Sequence, residues 1–176
     1  MSLWTQSLEG WHDFDVLIGT AAATLMGLTF IAVTLAPEVI ADRTSTAVRA
    51  FTTPIVAFFA TVLIVSLTVL IPGLTPAAAA IMFAVIGAGG IAYMLSTGVQ
   101  RQWREMELGI DDWFWYLALP VLSYVALGVS AAAMWNADPW ALYVAAAAAL
   151  LLLVVGIRNA WDVVITIVQH AGTGDR

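Results

Sequence analysis

From Ala50 to Gln100 the chain carries no charged residue and no histidine, and Pro72-Gly73 is the strongest break in the run. Ordinary globular chains are about one quarter charged. A helix needs roughly 20 apolar residues to cross the hydrocarbon core of a bilayer. The run therefore has room for two crossings joined by a tight turn. In the whole chain of 176 residues, 62 % are hydrophobic and 10 % charged. The fold class that follows is all-α, an integral membrane bundle with no separate soluble catalytic domain.

The pattern predicts five transmembrane helices, at about 15–37, 53–71, 76–99, 112–136 and 139–170. They are flanked by an amphipathic arm over 1–14 and a tail over 171–176. Asp13 and Asp15 precede the first helix, where the macrodipole favours acids. Thr53 can cap the second helix, with Pro54 in its first turn. The alternative is one longer helix from Ser45 with Pro54 inside it. Asp111 and Asp112 can cap the fourth helix, and Pro120 should kink it. Trp4, Leu8 and Trp11 are spaced for a short helix lying on the membrane surface.

All six cations are arginines: Arg43, Arg49, Arg101, Arg104, Arg158 and Arg176. Five crossings place all six on one side of the membrane. The positive-inside rule makes that side cytoplasmic, with the N-terminus outside and the C-terminus inside. The N-terminus has neither the basic residues nor the short apolar core of a cleaved signal peptide. Tryptophans and tyrosines cluster at the expected boundaries, as an aromatic belt does.

Several chemistries are disfavoured. There is no cysteine, so disulfides, iron–sulfur clusters and thiolate zinc sites have no ligands. A net charge of −6 argues against nucleic acid as a partner. His12 and His170 fall on opposite sides, too far apart to share a metal or haem. His12, Asp13 and Asp15 are a candidate cation cluster beside the simpler reading of cap and interface. The expectation is no catalytic residue, no cofactor and no metal.

What remains is packing and polarity. Gly19, Ala23 and Gly27 repeat every four residues on the first helix, and Gly87 and Gly90 thin the third. Such faces let helices approach closely in lipid, within one chain or between subunits. Thr20, Thr24 and Thr34 lie near one stripe of the first helix. They are either bonded to neighbouring backbone or a candidate polar lining. Arg101 and Glu105 can pair in their loop. In the segment Arg158-Asn159-Ala160-Trp161-Asp162, Arg158 and Asp162 can pair one turn apart. That pair is a candidate anchor or gate at the cytoplasmic boundary, and an acid such as Asp111 or Asp112 is the alternative partner of Arg158.

Trp11-His-Asp-Phe, followed by the stretch from Gly19 to Leu35, resembles the opening of a family of small bacterial multi-pass inner-membrane proteins. Val65 to Gly73 and Gly156-Ile-Arg-Asn-Ala-Trp-Asp162 resemble its later landmarks. The similarity covers most of the chain. Some members of that family are labelled modulators of a membrane-bound AAA protease. The resemblance implies the fold and a bacterial inner-membrane home, and supplies no catalytic residues. The expected function is a non-enzymatic oligomeric or accessory scaffold, partnered by lipid and by copies of itself or another membrane protein. The alternative is a subunit of an oligomeric channel or transporter.

Overall fold

The computed structural model describes residues 3–34, 45–99 and 113–171, all of them in helices or in two tight turns. The helices are α1 (Leu3–Thr34), α2 (Ser45–Val69), α3 (Pro76–Val99), α4 (Trp113 to Trp135, starting with a π-helical turn over Phe114–Ala118) and α5 (Trp140–Ala171). Arg43, the loop from Arg101 to Asp112 and the tail from 172 lie outside the described residues, as do the side chains of Arg49 and His170.

Four helices are long and apolar enough to cross a membrane: α1, α3, α4 and α5. The apolar part of α2, Thr53–Val69, is shorter. Of the two readings of α2, the structure takes the longer one in place of a start at Thr53: the helix begins at Ser45 and carries Pro54 in its interior. The expected surface arm over 1–14 is corrected, since α1 is unbroken from Leu3 to Thr34. The reason is visible at Trp4. Its indole N–H donates to the Leu74 carbonyl at 2.9 Å, and its ring is buried against the bundle. That anchorage holds the first turns in line with the rest of α1. Asp13 and Asp15 are therefore mid-helix residues rather than N-terminal acids.

Neighbouring helices run antiparallel. The five form a curved row, α1–α2–α5–α4–α3, in which α2 and α3 meet less closely despite their short connection. The α2–α3 and α4–α5 turns share one end, here the turn end. Trp11 meets Tyr143 edge-on there, with centroids 4.9 Å apart.

Hydroxyls cross-link the row. Ser66 donates to the Asp15 carbonyl, joining α1 to α2. Ser130 donates to Ala141 O at 2.7 Å, joining α4 to α5. Thr61 and the Tyr124 hydroxyl meet at 3.2 Å, joining α2 to α4. Each such bond contributes about 0.6 kcal/mol in a membrane. Their larger effect is to fix which faces meet. Around them lie Phe58, Phe83, Leu127, Met134 and Leu152, all fully buried. The outward faces of the same helices are apolar, with Leu17, Ile31, Ile81, Leu122 and Val154 among the exposed side chains. In water such a surface would be unstable; in lipid it is solvated.

The α4–α5 turn closes by two backbone bonds, Asp138 N–H to Ala133 O and Ala137 N–H to Met134 O. This is a Schellman arrangement, whose left-handed position favours glycine. Here it is Ala137, at φ 57°. Ala137→Gly should therefore raise stability by about 0.5–1 kcal/mol. Thermal unfolding in detergent measures this, and a lowered midpoint would contradict the left-handed turn.

Candidate functional site

A polar constellation lies at the end opposite the turns, where α4 begins and α5 nears its end. Pro120 dictates the local form of α4. It has no N–H, and its ring crowds the preceding turn. The chain answers with a widened π-helical turn, in which Leu119 N–H donates to the Phe114 carbonyl five residues back. Such turns are rare and frequent at functional sites. The irregularity expected at Pro120 is this π turn just before it.

The π turn presents Trp115 to α5. The Arg158 guanidinium carbon stands 4.8 Å from the Trp115 ring centroid. On the other side, Arg158 Nη1 is 2.6 Å from Asp162 Oδ2, one helical turn away. Arg158 is thus held by an aromatic face and a carboxylate together, with both charged side chains half-buried. Stacking plus pairing fixes the guanidinium more firmly than an exposed ion pair alone. Asp111 and Asp112, the alternative partners, lie outside the described residues.

Beside Arg158 sits a feature that spacing did not single out. Asn159 is fully buried, and among the described residues neither its Oδ1 nor its Nδ2 has a hydrogen-bond partner. It occupies the inward stripe of α5 with Leu152, Val155 and Gly156. Gly156 packs on Phe59, where an added methyl would stand 2.6 Å from the ring. The only signal in the sequence was register. Counting back by threes and fours from Asn159 reaches Val155, Leu152, Ala148 and Ala145, all core positions.

The small-residue positions divide. A methyl on Gly19 would overlap Ser66 Oγ, and one on Gly90 would overlap the Tyr124 ring. A methyl on Gly87 would stand 3.0 Å from Tyr124 O and 3.2 Å from Gly128 N. These three glycines sit at close helix contacts. Ala23 and Gly27 do not pack against the described residues of the bundle. Both are exposed, and no described atom lies within 4 Å of a methyl placed on Gly27. The face of α1 that meets the bundle is rotated from them, running through Asp15, Ile18, Gly19 and Ala22.

Thr20, Thr24 and Thr34 are exposed, and each hydroxyl donates to the carbonyl four residues back, at 2.7, 2.8 and 2.6 Å. Local bonding satisfies them without a neighbour. His12 and Asp13 pair at 3.2 Å and point outward, whereas Asp15 is buried. The three do not converge, and among the described residues no group of His, Cys, Asp or Glu could hold a metal. No family model, no curated protein and no solved structure matches the chain.

Proposed function

We propose that the protein is a non-enzymatic, self-associating membrane scaffold that spans a bacterial inner membrane five times. The observation carrying this reading is the division of labour on α1. One face is cross-linked to α2 through Ser66 and Gly19. The other carries Ala23, Gly27 and self-satisfied threonine hydroxyls in the open. A smooth, small-residue face of this kind suits close approach of a second helix in lipid. Ser66, Ser130 and Thr61 serve contacts between helices.

Gly27→Leu tests the reading. The new side chain meets nothing among the described residues, so thermal stability of the monomer should stay within about 0.5 kcal/mol of the parent. Self-association in nanodiscs or lipid bilayers, read by single-molecule photobleaching, should weaken by at least about tenfold, a loss of roughly 1.4 kcal/mol at the contact. Unchanged association would remove α1 from the interface.

The orientation belongs to the same proposal. Five crossings with the arginines inside put the N-terminus outside the cell and the C-terminus within. A periplasm-only reporter enzyme should be active when fused before Trp4 and silent after Arg176. Activity at both ends, or the opposite pattern, would overturn five crossings in this sense.

The channel reading draws on the threonines of α1, which would line a pore only at an oligomer axis. Ion flux into liposomes that Thr24→Val abolishes would favour it over the scaffold.

A further inference from the structure

At the turn end, the first turns of α1 and the α2–α3 turn enclose an open groove of about 360 Å³. Its walls include Trp4, Leu8, Leu70, Pro72 and Pro76, and Glu9 stands at its rim. The volume falls at the lower end of the range for small-molecule sites, about 300–1,000 Å³. The lining follows the same pattern as such sites, mostly apolar with a few polar groups.

Among the lining residues the side chain of fixed charge is Glu9. Glu9 is an exposed carboxylate with no hydrogen-bond or ion-pair partner among the described residues. The groove receives the C-terminal end of α2, at Val69 to Ile71. A helix C-terminus carries partial negative charge and unpaired carbonyls. His12, also at the rim, is engaged with Asp13. The Trp4 N–H is spent on Leu74 O. No arginine occurs in the segments that build this end, 3–20, 62–82 and 128–146, and the chain has no lysine. Trp11 and Tyr143 place the groove beside the aromatic belt.

We infer that this groove binds a small organic ammonium cation with an apolar body, the ammonium at Glu9 and the α2 C-terminus and the body against Leu8, Pro72 and Pro76. An anionic or phosphate-bearing ligand would meet the Glu9 carboxylate at the rim. A neutral apolar molecule would gain nothing from Glu9. The lining is complementary to positive charge on an apolar frame.

Benzyltrimethylammonium is the probe, titrated calorimetrically into the full chain in dodecyl maltoside micelles, which carry no ammonium group, with empty micelles subtracted. Its carbon isostere, neopentylbenzene, reports the apolar contribution. The parent should show saturable binding of one probe per chain. Glu9→Gln should weaken it about fivefold, the factor for one partly exposed ion pair. Glu9→Lys should abolish it. Neopentylbenzene affinity should be the same in all three proteins. Glu9 is exposed, so both variants should unfold at the parent temperature, which separates lost binding from lost fold. No saturable binding by the parent would overturn the inference, as would equal affinity in the parent and both variants.

Discussion

Gly90→Ala should cost this protein about 3 kcal/mol or more, at the upper end for overpacking a core. The methyl would occupy space already filled by ring atoms of Tyr124. That ring cannot swing away easily. It is 1 % exposed, and its hydroxyl meets Thr61 across on α2. Nor can α3 retreat alone, because three residues earlier Gly87 lies against the backbone of α4 at Tyr124 and Gly128. Relief requires the two helices to part, which opens voids along their whole contact. A double-mutant cycle with Tyr124→Leu isolates the clash. Tyr124→Leu alone loses the Thr61 contact and aromatic packing. On that background, Gly90→Ala should cost about 1 kcal/mol or less, giving a coupling of 2 kcal/mol or more. Equilibrium unfolding in mixed micelles measures all four proteins. Additive losses would mean that Gly90 does not face Tyr124.

Gly90 and Gly27 look alike in the sequence, each a glycine in an apolar helix with small neighbours, and their surroundings differ completely. Spacing shows that a face is smooth. It does not show what lies across from it, because that depends on rotation about the helix axis, and a run of apolar residues leaves rotation undetermined. In an ordinary soluble helix the polar face sets the rotation. In a membrane both faces are apolar, so the cue is lost. The same gap hid Gly156 and the groove beside Glu9, where α1 meets a turn some seventy positions away. What was legible rested on one-dimensional signals. Long uncharged runs marked the helices, Pro72-Gly73 marked a turn, and Pro120 marked an irregular stretch of α4. The start of α2 was ambiguous because proline suits a first helical turn and, buried in a bundle, is also tolerated inside a membrane helix. The start of α1 was misjudged because Asp13 and Asp15 imitate N-terminal acids, while Trp4, which anchors the true first turn, imitates a surface residue.

Asn159→Leu should stabilise the isolated subunit, reversing the usual direction of a core substitution. Removing a buried amide from water without giving it partners costs about 1–3 kcal/mol by mutational measures. Asn159 incurs that cost twice, at a donor and an acceptor. Leucine is somewhat larger than asparagine, and overpacking takes back part of the gain. The net expectation is about 1 kcal/mol, visible as a higher unfolding midpoint of the monomer in detergent. Asn159→Ala removes the amide but leaves a void on the inward stripe of α5, so it should fall below the leucine variant. The pair of variants separates polarity from volume. If leucine instead destabilises the monomer by more than alanine does, volume governs the site and the amide carries little penalty. If both variants are equally and strongly destabilised, the amide has a partner in the folded chain. A gain from leucine that occurs together with weaker self-association or altered flux would show that this amide is retained at a cost in stability. Its position makes sense of such a cost. Asn159 adjoins the Arg158–Asp162 pair, and Arg158 rests on the π turn that Pro120 imposes on α4. An unpaired amide would ease rearrangement at this end if its element and the π turn move together, as the Arg158–Trp115 contact between them allows. Leucine at 159 should therefore also slow backbone hydrogen exchange over 114–120. Unchanged exchange there would disconnect the amide from the π turn.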